Sequence, residues 1–272
     1  MKNQVMIHKE YAKVISNKKI AYNIYEAVLY APKISENCRP GQFINILPNK
    51  NWNNVMRRPM SVASQGNNQI SIIYKIFGEG TEIISKWKKE DVVDIIGPLG
   101  NFWKDFNCNY PILIGGGVGI APIINLHNML KSLNKEHSLI MGARTKKEHF
   151  MNHEPNDNIF LSTDIDEYGI KGNVIYALEK VLKNKNIDDF KIFTCGPPGM
   201  MKAIADYSIN NGVDCDLALE TIMACGVGIC QGCTVTLNKD KKNDTYRERY
   251  ALACLDGPIF NVGEIDNVCF NH

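Results

Sequence analysis

The sequence predicts three parts in order: an antiparallel β-barrel over residues 1–104, a parallel, doubly wound α/β domain over 105–219, and a small cysteine-bearing module over 220–272. Three observations carry this reading. Short β-rich runs lie close together up to about residue 96. Strand and helix patterns then alternate from about residue 106, and four cysteines gather in the final stretch.

The barrel rests on the runs 20–29, 42–47, 70–77 and 91–96, which turn formers such as Pro40-Gly41 and Gly66-Asn67-Asn68 separate. Strands this short need partners on both sides, and closing the sheet removes its edges. The run 81–87 reads as one helix with Thr81 as its N-cap. In the second part, 111–115, 138–142, 158–162, 191–194 and 214–219 read as strands. Helices fall at 122–133 and 174–183, and a third opens at Pro197-Pro198. Five strands with helices between them imply a parallel sheet. The last part is too short to bury a core of its own, so a metal should staple it.

Composition narrows the class. A net charge of +2, from 31 basic and 29 acidic residues, gives no basis for nucleic-acid binding. The first ten residues hold no apolar signal segment, and the uncharged stretch 107–130 is broken by glycines and prolines, unlike a membrane span. Nine cysteines, an odd number, point to a reducing cytoplasm rather than to disulfides. Cys38, Cys108, Cys215 and Cys269 have no ligand spacing and read as packing thiols. His127, His137, His149 and His153 likewise show no ligand or triad spacing and read as surface or packing groups.

The remaining cysteines do. Cys225-Gly-Val-Gly-Ile-Cys230-Gln-Gly-Cys233, followed by Cys254, has the C-x4-C-x2-C…C spacing of a plant-type [2Fe–2S] site. Gly226, Gly228 and Gly232 let such a loop curl so that backbone amides face sulfur. A structural zinc site stays open as the alternative, although zinc ribbons pair two C-x2-C knuckles and one is present here. A [2Fe–2S] cluster carries one electron at a time, so an electron source and an acceptor should exist.

Two further pairs of elements suit phosphate. Arg57-Arg58-Pro59-Met60-Ser61 reads as the end of one strand, and Gly78-Glu79-Gly80-Thr81 follows another. Guanidinium groups and glycines before a helix both suit a pyrophosphate, while surface charge and a plain turn remain the simpler readings. Ile114-Gly115-Gly116-Gly117-Val118-Gly119-Ile120-Ala121-Pro122 joins a strand to a helix, and Cys195-Gly196-Pro197-Pro198-Gly199-Met200 does so again. Neither is the G-x-G-x-x-G fingerprint, but the logic of backbone approach to a nucleotide is shared. A ligand-free turn and a buried small Cys195 remain open. Gly142-Ala143-Arg144-Thr145-Lys146-Lys147 lacks an acidic residue for a ribose and carries positive charge, which admits NADPH as well as NADH.

Together these motifs resemble the ferredoxin–NADP reductase superfamily, with its R-x-x-S and G-x-G-T flavin elements and its G-G-G-V-G-x-A-P and C-G-P-x-x-M nucleotide loops. The resemblance implies FAD bound by Arg58, Pro59, Met60, Ser61, Ile73, Tyr74, Lys75, Gly80 and Thr81, with Ser61 near flavin N5. It implies NAD(H) over Gly115, Gly116, Gly117, Gly119, Cys195, Gly196 and Pro197. Met60 stands where plant-type members place a stacking tyrosine.

The tail is too short for the ferredoxin domain of phthalate dioxygenase-type reductases. The segment E-x-x-M-A-C-G-V-G-x-C-x-G-C, with C-x-D-G-P-x-F after it, resembles the electron-transfer subunits of class 1B dihydroorotate dehydrogenases. That family implies a relay from the FMN of a separate catalytic subunit, through a cluster on Cys225, Cys230, Cys233 and Cys254, to FAD and NAD+. The assembly it implies is a heterotetramer of two catalytic and two electron-transfer chains, without membrane or nucleic acid. Two other readings are the small subunit of an NADPH-linked ferredoxin or sulfide reductase or hydrogenase, and a non-catalytic zinc- or nucleotide-sensing flavoprotein.

Overall fold

The computed structural model describes residues 6–51, 56–106, 108, 110–238 and 246–270; Val5 and Asn107, from which the barrel and the uncharged stretch were read, lie outside them. The first part is a closed barrel. Its elements are β1 (His8–Ala21), β2 (Ile24–Tyr30), α1 (Pro32–Asn37), β3 (Phe43–Leu47), β4 (Arg58–Gly66), β5 (Gln69–Lys75), α2 (Glu79–Ser85) and β6 (Val92–Leu99). The strands follow one another around the barrel as β1-β2-β5-β4-β3-β6, every pair antiparallel. Alternation places Ile44, Ile46, Ile70 and Ile72 inside.

Three details depart from the sequence reading. The run 20–29 is a hairpin, not one strand, because Asn23 takes a left-handed turn at φ 56° between β1 and β2. The arginine run opens β4 instead of ending a strand. Thr81 is the third residue of α2 and not its N-cap. Gly78, extended at φ −161°, caps the helix, and Thr81 Oγ1 reaches back to accept the amides of Phe77 (2.9 Å) and Gly78 (3.2 Å).

The second part contains β7 (Pro111–Gly116), α3 (Ile120–Ser132), β8 (Ser138–Ala143), β9 (Ile159–Thr163), β10 (Ile170–Lys171), α4 (Val174–Lys185), β11 (Lys191–Cys195), α5 (Pro198–Asn211) and β12 (Asp214–Ala218). The five expected strands form its parallel centre, in the order β9-β8-β7-β11-β12. β7, β8, β9 and β11 are buried almost throughout; β7 reads as an apolar run for that reason, while the others also bury Ser138, Ser162, Thr163, Lys191 and Thr194.

The cysteine segment adds β13 (Thr234–Thr236), α6 (Tyr246–Arg249), β14 (Tyr250–Leu252) and β15 (Ile259–Asn261). β15 joins the large sheet antiparallel to β12. Lys191 bridges Asp214 and Asp216 at 3.0 Å each, and Asn261 Nδ2 donates to both carboxylates, locking this edge. Val235, Ala251, Phe260 and Ile265 share one core with Ile112, Ile192 and Leu217 of the α/β domain.

Hydrogen bonds join the parts. On α3, the buried Asn125 Nδ2 donates to Val62 O on β4 at 2.9 Å. Asn101, just past β6, donates to the carbonyls of Asp256 (2.7 Å) and Ile259 (2.9 Å) and accepts the Ile259 amide (3.0 Å). Among the described residues no helix is long and apolar enough to cross a membrane.

Candidate functional site

A cavity of about 270 Å³ lies between the barrel and the α/β domain. Pro59, Met60 and Ser61 of β4, Ile73, Tyr74 and Lys75 of β5, and Thr81 of α2 line its barrel side. Tyr74 keeps its ring in the barrel core, where the hydroxyl donates to Asn17 Oδ1 at 2.8 Å and burial pushes the phenol pKa far up. Arg58 and Gly80 lie outside the lining and against each other: a Cβ on Gly80 would sit 2.9 Å from Arg58 Nε. Arg57 is a strut, paired with Asp94 at 2.9 Å and donating to the Asp94 carbonyl at 3.1 Å.

Phe43 of β3 continues the barrel side, and the opposite wall comes from Val118, Glu220, Thr221 and Met223; no motif had assigned these five residues to a flavin. Thr221 Oγ1 is buried without a hydrogen-bond partner among the described residues, so a polar ligand atom fits there. Apolar walls with a few converging polar groups suit a planar heteroaromatic ring. Burial also raises the Glu220 carboxyl above its ordinary value. Cys195, buried beneath the cavity, has its thiol pKa raised well above normal, by burial first and the Glu220 charge second. A thiol held protonated in this way is no nucleophile.

A second cavity, of about 360 Å³, shares Lys75 with the first. Gly116 and Gly117 after β7, and Pro197, Gly199 and Met200 at the start of α5, border it. Gly117, at φ +56°, has open space where a Cβ would stand. Gly115, Gly119, Cys195 and Gly196 are outside the lining. A Cβ on Gly119 would lie 2.6 Å from the Gly196 nitrogen, so the two loops touch main chain to main chain. α5 has no side-chain cap, which leaves its first-turn amides for a phosphate.

Lys75 and Glu148 pair at 2.8 Å across the seam of the two cavities. Burial pushes the Glu148 carboxyl up, but Lys75 outweighs it and holds the group below its ordinary value. An acidic residue stands at this cavity from the end of β9 rather than after β8. Asp164 lines the cavity beside Arg144, and its amide donates to Ala143 O at 3.1 Å.

In the cysteine loop every sulfur accepts a backbone amide. Val227 and Cys230 donate to Cys225 Sγ (3.4 Å each), Gly228 to Cys254 (3.2 Å), Gly232 to Cys230 (3.5 Å) and Cys254 to Cys233 (3.4 Å). Positive φ at Gly226, Gly228 and Gln231 bends the loop into this shape. The side chains meet in two pairs, Cys225 with Cys230 and Cys233 with Cys254. Among the described residues no three His, Cys, Asp or Glu side chains surround one point. Two pairs of thiolates fit a two-iron cluster, whereas one tetrahedral zinc takes all four. In the metal-free chain burial works against ionisation of Cys225, but the amides prevail and hold its thiol at about 6; burial pushes Cys254 up to about 12. Cys233 and Cys254 are buried and Cys230 is exposed, near the exposed Ile229 and Leu255.

Known proteins share these features. Residues 220–266 match the iron-sulfur cluster binding domain of dihydroorotate dehydrogenase B, and residues 113–206 match an oxidoreductase NAD-binding domain. The electron transfer subunit of dihydroorotate dehydrogenase B (NAD(+)) from Fusobacterium nucleatum is 32% identical over 260 residues, 93% of this chain and 96% of that one. Its Streptococcus pneumoniae counterpart is 32% identical over 268 residues, 96% and 99% of the two chains. The chain belongs to this family.

A solved structure of an NADH-dependent reduced ferredoxin-NADP oxidoreductase, studied for flavin-based electron bifurcation, superposes with a TM-score of 0.81 at 29% identity, covering 95% of this chain and 91% of that one. The ferredoxin reductase of carbazole 1,9a-dioxygenase shares the fold, at a TM-score of 0.66 and 20% identity over 77% of this chain and 68% of that one. The family makes the iron–sulfur reading of the cysteines the one to carry forward. Thr221 and Asp164 gave no signal of their own in the sequence, and Glu220 entered only as part of the E-x-x-M-A-C segment, because each reaches its cavity only through the packing of distant segments.

Proposed function

We propose that the chain relays electrons between NAD(H) and the FMN of a separate dihydroorotate dehydrogenase catalytic subunit, through FAD and a [2Fe–2S] cluster, in pyrimidine biosynthesis. One observation carries this reading. The flavin-side cavity shares Lys75 with the nucleotide cavity on one side, and Phe43 and Met223, which line it, pack into the core that holds Cys233 and Cys254 on the other. When bound, FAD supplies the conversion between hydride transfer, which nicotinamide needs, and one-electron transfer, which the cluster needs.

The division of labour follows 1–104 for FAD, 105–219 for NAD(H) and 220–272 for the cluster. Pro59, Met60, Ile73 and Val118 exclude water from the flavin ring, Ser61 and Thr221 offer hydrogen bonds to its polar edge, and Thr81 lies towards its phosphates. Arg58 and Gly80 act from behind this wall. Gly116, Gly117 and Pro197 bring main chain against the nucleotide, over the base built by Gly115, Gly119, Cys195 and Gly196. Asp164 takes the ribose hydroxyl and repels a 2′-phosphate, which favours NADH. Cys225 and Cys230 would hold one iron and Cys233 and Cys254 the other, and the cluster would supply one-electron transfer.

Ile222, Ile229 and Leu255 stand 80%, 80% and 59% exposed, and with Cys230 they form the face on which the catalytic subunit docks. Two catalytic and two electron-transfer chains make the heterotetramer that the family resemblance implies, and the free thiols of Cys38, Cys108 and Cys215 suit a reducing cytoplasm. The reduced ferredoxin-NADP oxidoreductase likeness supports a second reading, as the small subunit of such an enzyme. The test is reconstitution with the FMN-containing TIM-barrel protein of the same genome. Dihydroorotate-dependent NAD+ reduction by the mixture, and by neither chain alone, is the expected result. Activity only with a large iron–sulfur flavoprotein would favour the second reading.

A further inference from the structure

Strand β3 carries two different faces. Ile44 and Ile46 enter the barrel core, while Phe43 lines the flavin-side cavity and Asn45, two residues on, meets the cysteine loop. Asn45 is wholly buried, and its Nδ2 donates to the carbonyl oxygen of Cys225 at 3.2 Å. A Cβ on Gly226 would overlap that amide, so this glycine, at φ +71°, is what lets the loop approach.

Asn45 pairs across the ladder with Pro59, which lines the same cavity as Phe43. Its own carbonyl lies 3.5 Å from Arg57 Nη1, and Arg57 is anchored on Asp94. Asn45 Oδ1 has no hydrogen-bond partner among the described residues. A leucine would seal this position and remove that unpaired Oδ1. What it would lose is the bond to Cys225.

We propose that Asn45 is the positioning residue that fixes the Cys225 end of the loop against the flavin-lining strand, and thereby sets the rate of electron transfer between flavin and cluster. This rests on the reading that Cys225 binds iron and that the cavity beside Pro59 holds the flavin ring. In the transfer NADH is oxidised to NAD+ and one electron reduces one ferric ion of the cluster to ferrous; the second follows once the catalytic subunit's FMN has taken the first, and the hydride's proton passes to solvent. No bond forms or breaks at Asn45. Tunnelling falls exponentially with separation, so a loosened loop slows the step without disabling either centre.

The test uses FAD- and cluster-loaded protein mixed anaerobically with NADH in a stopped-flow instrument. Asn45→Leu should keep the FAD content, the rate of NADH-driven flavin bleaching and the EPR signal of the dithionite-reduced cluster. NADH-driven cluster reduction should slow by on the order of tenfold, as expected when a reacting pair is misplaced. Asn45→His should recover most of that rate, since an imidazole Nδ1–H can reach the same carbonyl. A wild-type rate in Asn45→Leu overturns the proposal. So does a slow Asn45→His, which would reduce the role to packing. If Asn45→Leu assembles no cluster, Asn45→His against wild type decides by the same criterion. Absence of flavin or of a reduced-cluster signal in the wild-type protein would overturn the functional reading itself, a result distinct from any variant's rate.

Discussion

Ile44, Ile46, Ile70, Ile72 and Ile95 face one another inside the barrel, in a core that the rest of the chain does not share. Val235, Ala251, Phe260 and Ile265 of the cysteine module instead face Ile112, Ile192 and Leu217 of the parallel sheet. The barrel therefore holds Met60 and Tyr74 of its flavin wall by its own packing, while Phe43 and Ile73 pack outwards against the rest of the chain. The module is a rim on a neighbour's core, fixed by β15, by Asn101 and by whatever its thiols bind. That difference lets it present Cys230 and exposed Ile229 to a partner at little cost, but it makes its order depend on metal.

The largest expected effect comes from the thiols. Cys233→Ser or Cys254→Ser should abolish the reduced-cluster EPR signal and electron delivery to the catalytic subunit. Flavin bleaching by NADH should survive, and hydrogen exchange should rise in 225–238 and 246–256 while the barrel stays protected. Equal loss of protection in the barrel would break the comparison. Next, Asn101→Ala removes three side-chain hydrogen bonds between barrel end and module, and should cost about 2–3 kcal/mol in denaturant unfolding.

Two smaller effects concern the cavities rather than the thiols. Asp164→Ser should shift the ratio of NADPH to NADH efficiency upwards by about tenfold, measured as flavin reduction, with cluster content unchanged. Glu220→Gln concerns pH. The native Glu220 carboxyl binds its proton more tightly than the ordinary value of 4.5, so its ionisation weakens the fold as pH rises above that value. The variant should thus melt higher than wild type at neutral pH, and the gap should close below pH 4.5. Because the Glu220 side chain is still exposed to solvent, the gap should be small, under about 1 kcal/mol, and a gap independent of pH would mean that its charge does not sense the fold.

Much of this organisation was legible in the sequence, for reasons tied to particular residues. Short apolar stretches between turn formers gave β7, β8 and β11, and glycine loops gave the main-chain surface of the nucleotide cavity. Cysteine spacing gave the four thiols of the loop. The first half of β1 was not legible: Lys9, Tyr11 and Lys13 face solvent, and a register shift after Val14 breaks the two-residue period. Nor could adjacency in sequence separate Arg57, a strut on Asp94, from Arg58, which lies against Gly80. Asn45, Asp164, Glu220 and Thr221 acquire their surroundings only when segments far apart in the chain are packed together.

The central claim is that one chain passes electrons from NADH through a flavin to a cysteine-held cluster. An anaerobic NADH titration of the purified protein, followed by absorbance and EPR, tests it most directly. The account predicts bleaching of the flavin together with a rhombic signal from a reduced [2Fe–2S] cluster. Bleaching of flavin alone, with no such signal at any NADH concentration, would contradict it.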